Sequence, residues 1–534
     1  MNFLFSIILS LLPGLLAQDP GLTVSNPSIS YWQLPPLDGI ANHQSQDLPT
    51  EADVVIIGSG MSGTSIAWHL LKDNATNPLR IAMIEARQAC SGATGRNGGH
   101  IRPSSYSEYA GAKQSVSQDE AAKITRLPSA HVDALISAAN SLPEQGHQAA
   151  EARVVDSIDA FFDEKEWKTA IEQLQVLKRD VPDVGNEWTA FEKEEARNVL
   201  TTTDVPAFRN RGNPYRNNEG CRGYLAVPFH HACSESSLER PPGFSLDTNT
   251  AAMNVSSSIG SSDFDYEVTT NRGKILAKHV VYATNAWTPH FVPGLQGLIR
   301  GGRLHMSAQL GGSGLPKAGS WPSYTGNGSL PGGRAWSLFR NGLDYIVQMA
   351  RNGELMFGGG IEGDEPGTTF PSDSGPPSHT AVSYLNGALP NYFGYDTWGS
   401  ERTDFPETSD ANVWRGRTKR VWVGIEGSSS DSRPFVGRLP ETATKRPAKN
   451  ATSGGEWVSA AFDGEGMCFA WLCGRALSEM IKAGSSGPNS IAGLPDWFPH
   501  SFLVTGDRLS ERNITRREEK AWTYPRMANA FRRH

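Results

Sequence analysis

The chain has 534 residues, 38% hydrophobic and 20% charged, with 55 Gly, 34 Pro and a net charge of −7. That is ordinary globular composition, long enough for two or more cores, and the acidic balance gives no reason to expect a nucleic-acid partner. No interior stretch approaches the ~20 apolar residues needed to span a bilayer.

The N-terminus differs from the rest. Phe3 to Leu16 is almost wholly apolar, with the small Ala17 before the polar Gln18. Too short to span comfortably, it reads as a secretory signal peptide over residues 1–17, an uncleaved anchor or a mis-assigned start being the other readings. Asn74, Asn254, Asn327, Asn450 and Asn513 each begin an N-x-[ST] triplet and agree with secretion. The five cysteines give no disulfide framework and no C-x-x-C, with Cys221 and Cys233 the nearest plausible pair. Residues 18–50, rich in Pro, Ser, Asn and Gln, read as an extended lead-in.

Asp53 to Ile101 carries the clearest signal. Val54 to Ile57 reads as a strand buried on both faces. Gly58, Gly60 and Gly63 follow at G-x-G-x-x-G spacing and lead through Met61 and Ser62 into a helix with the apolar stripe Ile66, Ala67, Leu70 and Leu71. A second strand, Arg80 to Ile84, ends on Glu85. The glycines serve the tight turn, the approach of a pyrophosphate and helix–strand packing, while Glu85 accepts a ribose hydroxyl. The order predicts a βαβ dinucleotide-binding unit. Ala86 and Arg87 then lead into Cys90-Ser91-Gly92-Ala93-Thr94-Gly95-Arg96-Asn97-Gly98-Gly99-His100. Backbone this bare can approach a flat ring, and Ser91, Thr94 and Arg96 can bond phosphate or ring oxygens.

S-G-A-T-G-R-N-G-G directly after the ribose-binding acid resembles the FAD-dependent oxidoreductases of the D-amino acid oxidase / glycine oxidase superfamily. It is most similar to the branch typified by gamma-glutamylputrescine oxidoreductase and sarcosine oxidase. The resemblance implies that this segment, through Asn97, Gly98 and Gly99, wraps the pyrophosphate and isoalloxazine of FAD. Covalent attachment, for example through His100 or a cysteine, is open.

From residue 107 to about 200 the chain reads helical, over Glu120–Ile136, Phe161–Arg179 and Trp188–Val199, with no catalytic spacing. Residues 201–262 fit the resemblance poorly, although Thr248-Asn249-Thr250 is similar to the family's strand end. His230 and His231 diverge as neighbours, and no metal site is expected. Tyr266–Thr270, a turn at Asn271-Arg272-Gly273 and the strand to Thr284 form a hairpin. The resemblance places Ala283 and Thr284 near FAD.

Residues 299–414 are glycine- and aromatic-rich. Asp344–Ala350 and Glu354–Gly360 read as antiparallel strands joined at Asn352-Gly353, which the resemblance assigns to a substrate-domain sheet over the flavin. Tyr345, Gln348 and Met356 are the substrate-wall candidates. Strand parity puts Tyr345 and Gln348 on opposite faces, and Tyr345 is the preferred wall. Sarcosine-oxidase-like members carry a lysine for oxygen activation where the best match here is the uncharged Met356, so O2 stands only as one candidate electron acceptor.

Val421–Gly427 reads as a strand end, and Asp431 to Gly437 resembles the family's D-x-x-P-x-x-G. After the strand Trp457–Ala461, Gly464-Glu465-Gly466-Met467 opens a helix whose apolar residues recur from Phe469 to Ile481. Its N-terminus, with Gly464, Gly466 and Met467, suits the negative charge of a reduced flavin. Residues 487–534 read as a polar surface tail.

The expected fold is α/β: a Rossmann-type FAD-binding domain (51–298 and 415–486, including a helical segment 107–200) with an inserted antiparallel-sheet substrate domain (299–414). The implied activity is oxidation of a C–N bond in a small-molecule amine or amino acid, by hydride transfer to flavin N5. FAD oxidation of a C–C or C–O bond, or a catalytically impaired flavoprotein fold, are the alternatives.

Overall fold

The structure, a computed structural model, describes residues 19–72, 79–101, 104–142, 155–200, 207–210, 243–259, 263–316, 334–340, 342–349, 353–359, 377–402, 416–447, 454–484 and 492–510, with residues 150 and 205. Residues 1–18, Asn74, Cys221, Cys233, His230, His231, Asn327, Asn450 and Asn513 lie outside them. Among the described residues no helix is long and apolar enough to cross a membrane.

The chain opens with β1 (Glu51–Ile57), α1 (Met61–Lys72) and β2 (Ile81–Ile84), the βαβ unit expected from its sequence. The two strands pair in parallel, Val54 opposite Ile81 through Ile57 opposite Ile84. The apolar run of β1 is continuous because both faces are covered: Val54 and Ile56 join one core, Val55 and Ile57 the other.

The chain then leaves this sheet through α2 (Ser105–Ala112), α3 (Gln118–Asn140), β3 (Asp156–Phe161), α4 (Glu164–Asp180), β4 (Trp188–Phe191), α5 (Lys193–Leu200) and β5 (Ala207–Asn210). The Ser117 side chain caps α3 by accepting from the Glu120 N–H, and Asp163 caps α4 through the Lys165 and Glu166 N–H groups. Here the structure corrects the all-helical reading of 107–200. Phe161 closes a strand instead of opening a helix, and Trp188–Val199 divides into β4 and α5. Aromatic packing overrides local helix preference: Phe208 sits 4.9 Å from Tyr106, 5.3 Å from Phe161 and 4.8 Å from Trp167 between ring centroids.

The chain returns with β6 (Phe244–Asp247), β7 (Ala252–Ser257), β8 (Tyr266–Thr270) and β9 (Gly273–Tyr282). It leaves again for β10 (Ile299–Gln309), β11 (Arg334–Phe339), β12 (Leu343–Gln348), β13 (Leu355–Gly358), α6 (His379–Phe393) and β14 (Thr418–Ser429), and ends with β15 (Phe435–Arg438), β16 (Gly455–Ala460) and α7 (Gly466–Lys482). Among the described residues these strands form two eight-stranded sheets. The first runs β15-β16-β9-β1-β2-β6, parallel except for β15, with β7 and β8 as an antiparallel branch. The second runs β14-β10-β13-β12-β11-β3-β5-β4 and is antiparallel except where β11 meets β3. The second sheet is therefore built from two excursions: β3–β5 belong to it and not to the cofactor half.

The polar-tail reading of 487–534 also needs correction. Phe498 and Phe502 are fully buried against each other and Phe469 of α7. Arg508 grips both oxygens of Asp431 at 2.9 Å. The D-x-x-P-x-x-G segment thus anchors the C-terminal strap, a role its local sequence does not reveal.

Candidate functional site

The carboxyl ends of β1, β2 and β9 meet the N-terminus of α1. Gly58 adopts φ +106°, and a Cβ there would lie 2.6 Å from the Ala283 oxygen, so the ends of β1 and β9 approach without a side chain between them. At Gly63 a Cβ would lie 2.0 Å from the Gly58 oxygen; this glycine lets α1 pack directly on the turn. Glu85 ends β2 and accepts from the Ser59 N–H (3.1 Å), the Ser59 hydroxyl (2.8 Å) and the Arg87 N–H (3.1 Å).

These groups wall an elongated cavity of about 220 Å³. Gly58, Gly60, Met61, Ser62, Glu85, Ala86 and Arg87 line it from the βαβ unit, and Thr94, Arg96 and Asn97 from the following loop. Ala283 and Thr284 contribute from β9, and Gly464, Gly466 and Met467 from the turn into α7. The cavity thus joins two helix N-termini, a carboxylate and bare glycine backbone, a donor set suited to a dinucleotide. The second helix is held close to the first: the Ser65 hydroxyl of α1 donates to the Trp471 oxygen of α7 at 2.5 Å, and a Cβ on Gly474 would meet the Ser65 side chain at 2.6 Å.

Other sequence-predicted residues have different positions. Gly63, Ser91, Gly95 and Gly99 do not line the cavity, and Gly98 lines a second one beside it. Ser91 is buried, and its carbonyl accepts from Arg96 Nε at 2.6 Å. Arg96 Nη1 donates to the Val423 oxygen (2.7 Å) and Ser28 Oγ (3.1 Å). The Arg96 side chain therefore stitches the loop to β14 and the lead-in. The Thr94 hydroxyl accepts from the Met61 N–H at 3.0 Å, at the mouth of α1.

The lead-in is part of the site, which composition alone did not show. Gly21, Leu22 and Thr23 line the cavity, and Trp32 Nε1 donates to the Asn97 oxygen at 2.7 Å. Asn285 and Trp287, in the stretch after β9 that resembles the family's return past the cofactor, line the cavity too; missed were Leu304 and Met306 on β10 and Gly424–Gly427 on β14. A sequence signal existed for the last, a carboxylate between glycines in Gly424-Ile425-Glu426-Gly427.

The chain matches the family described as DAO: FAD dependent oxidoreductase over residues 53–200 and 248–480, most of its length. It belongs to that family. Its cofactor is FAD and it is an oxidoreductase. No curated protein matches the chain. Among solved structures it is similar to L-proline dehydrogenase from P. horikoshii (18% identity, TM-score 0.57, covering 85% of this chain and 97% of that one). It is also similar to glycine oxidase from Geobacillus kaustophilus (18%, 0.55, 81% and 95%) and to L-amino acid deaminase from Proteus myxofaciens in complex with anthranilate (15%, 0.56, 92% and 97%). At these identities the likeness is one of fold. The family match skips residues 201–247, the first part of the stretch 201–262 that fits the resemblance poorly, and covers 248–262.

FAD fits the long cavity: Glu85 and the α1 turn would hold its nucleotide portion, and the α7 N-terminus, where the cavity meets the second sheet, would favour negative charge on its ring. There a second cavity of about 150 Å³ shares the walls Asn97, Leu304, Tyr345, Glu426, Phe462 and Gly464 with the first. Tyr345 of β12 lines both. Its ring stands edge-on to His100, centroids 5.3 Å apart, and His100 Nε2 lies 2.8 Å from the Ile346 oxygen. Gln348 turns to the opposite face and donates to the Pro316 oxygen at 3.1 Å. Met356 shares the Tyr345 face but is fully buried among Ala308, Val347 and Trp422, and lines neither cavity. As substrate-wall candidates Gln348 and Met356 are therefore set aside.

Glu426 of β14 lines both cavities, and burial together with the negative Asp463 and Glu465 pushes its carboxyl up to about 8. Burial, with Glu426, Asp344 and Glu465, raises the Tyr345 phenol as well. Neither group stood out from sequence spacing as an acid–base candidate. Among the described residues no cluster of His, Cys, Asp and Glu could hold a metal ion.

Proposed function

We propose that this flavoenzyme oxidises a C–N bond of a small amine or amino acid. The observation that carries the reading is the small cavity sharing its wall with the cofactor cavity and closed by Tyr345 of the second sheet. It has room for a compact substrate held against the cofactor and away from bulk water. The similar structures support the choice of bond, because they are named for enzymes of proline, glycine and L-amino acids.

FAD, when bound, supplies a two-electron acceptor that takes hydride from the carbon bearing nitrogen. What this chain contributes is positioning. The first N–H groups of α7, at Gly466 and Met467, point their positive end toward the cavity and favour negative charge there. Tyr345, His100 and Leu304 wall the substrate side. The lead-in closes the cofactor side through Trp32 and Ser28.

The test is anaerobic mixing of the yellow enzyme with a panel of amines, amino acids and hydroxy acids. Reduction by members of the amine or amino-acid sets supports the reading; reduction only by compounds without nitrogen on the reacting carbon overturns it. Oxygen added afterwards reports whether O2 is the acceptor. We further propose secretion, on the apolar segment 1–17 and the five N-x-[ST] triplets, of which Asn254 is exposed on β7. Mass spectrometry of the mature N-terminus checks it.

A further inference from the structure

Contacts to the part of a substrate remote from its reacting atoms supply binding energy and help to hold the reacting carbon in place. We propose that Phe502 is a specificity-determining residue: its ring stops the far end of an apolar group that the substrate carries away from the reacting carbon. The proposal rests on the amine-oxidising reading and deepens it, by naming the substrate class as amines or amino acids with an apolar substituent.

Position comes first. Asn97, Leu304, Tyr345, Glu426 and Phe462 line both cavities and mark the cofactor end of the second one, where the reacting carbon must lie. Leu343, Pro434, Phe469 and Phe502 line the second cavity and not the first. Phe469 comes from the first turn of α7, and Phe502 from a single turn, His500–Phe502, of the C-terminal strap. Their rings meet edge to face with centroids 5.8 Å apart, and Phe498 packs on Phe502 at the same distance, also edge-on. All three rings are buried. His100, Glu108 and Ser337 share this wall, and each is engaged by another group of the protein. Carbon surface from two rings, a proline and a leucine favours a hydrocarbon group, at about fourfold in affinity per methylene buried.

Rigidity comes second. Arg508 Nη1 donates to the Phe502 oxygen at 2.9 Å and to the Pro434 oxygen at 3.1 Å. The same guanidinium grips Asp431 and, through Nη2, the Arg433 oxygen at 2.9 Å. Two wall residues far apart in sequence, Pro434 and Phe502, are thereby tied to one cation. The strap is held on its other neighbour as well, since the Ser501 N–H donates to Glu120 Oε1 of α3 at 2.6 Å. With its backbone tied and its ring packed on Phe469 and Phe498, Phe502 acts as a fixed stop and not as a lid.

The test uses FAD-loaded wild type, Phe502→Leu, Phe502→Ala and, as a packing control, Phe498→Leu, whose ring touches Phe502 but lines neither cavity. Flavin reduction is followed anaerobically with linear primary amines from ethylamine to octylamine and with the α-amino acids of matching side chain. In the wild type the second-order rate constant should climb about fourfold per methylene and then break off at a limiting length. That limit should move out by about two methylenes in Phe502→Ala, changing the preference for the longer chain about tenfold, and by less in Phe502→Leu. Phe498→Leu should keep the wild-type limit. Truncating a buried phenylalanine destabilises, so variants are read only with their flavin absorbance intact, and Phe502→Leu decides where Phe502→Ala loses its flavin. An unmoved limit in the flavin-loaded Phe502 variant, or an equal shift in Phe498→Leu, overturns the proposal. So does a wild type that reacts tenfold faster with a chain ending in an alcohol, carboxylate or ammonium than with the apolar chain of equal length. These results leave C–N oxidation standing, whereas reduction by no amine or amino acid removes both readings together.

Discussion

Gly63→Ala tests the geometric basis of the cofactor site with one methyl group. The added Cβ would fall 2.0 Å from the Gly58 oxygen, 3.2 Å from the Gly58 carbonyl carbon and 3.2 Å from Ile56 Cγ2. Relief needs a shift of about 1 Å between α1 and the turn, and the opposing atom is backbone, not a flexible side chain. Gly58 has little room to yield, since its N–H is bonded to the Ile84 oxygen at 2.8 Å and its own α-carbon faces Ala283. Overpacking of this kind costs about 1–3 kcal/mol. At about 2 kcal/mol the affinity for FAD falls about thirtyfold if the strain falls on the binding conformation. Titration of apoprotein with FAD, followed by flavin fluorescence, measures it. Gly111→Ala is the control: its Cβ meets nothing within 4 Å at the end of α2, and alanine gains about 0.5–1 kcal/mol of helix preference. Wild-type affinity in Gly63→Ala, within a factor of three of the control, would refute the reasoning.

Trp32→Phe removes the 2.7 Å bond to the Asn97 oxygen, worth about 1 kcal/mol, and should speed FAD dissociation about fivefold in a dilution-release experiment; an unchanged rate would mean the lead-in merely covers the site. Arg508→Leu removes one of the two described cations of buried Asp431, leaving Arg433, and frees the Phe502 and Leu503 oxygens, so the urea midpoint should drop by the equivalent of about 3–5 kcal/mol. Burial holds His131 neutral down to about 3, with the Leu472 N–H 3.4 Å from Nδ1. Because its folded value lies below 6.5, its contribution is whole above pH 6.5 and is lost as pH falls toward 3, at about 1.4 kcal/mol per unit. Between pH 6.5 and 5 the wild type should therefore lose about 2 kcal/mol more than His131→Gln; equal losses would contradict the assignment.

The cofactor half was legible because its signals are local. The run Val54–Ile57, the three glycines and Glu85 lie within one βαβ unit, and each residue type has a single physical duty there. The helix from Gly466 and the hairpin around Gly273 follow the same logic of period and turn chemistry. What the sequence concealed depends on distant partners. Ser157 to Phe161 became a strand because β11 and β5 flank it, and Trp188 left a helical pattern to pack on Tyr106. Arg96 lines the cofactor cavity, yet Val423, more than three hundred positions away, also takes its Nη1, a tie no local pattern announces. Glu426 was passed over for a related reason: its neighbours Asp463 and Glu465 come from another strand's turn, and only the folded chain gathers the three carboxylates.

One measurement bears on the central claim directly. The purified yellow enzyme, mixed anaerobically with a series of small primary and secondary amines, should lose its oxidised-flavin absorbance within the turnover time and yield the matching imine or its hydrolysed carbonyl product. Flavin that stays oxidised with every amine and amino acid, but is reduced by an alcohol or another compound lacking a reacting C–N bond, would contradict the account.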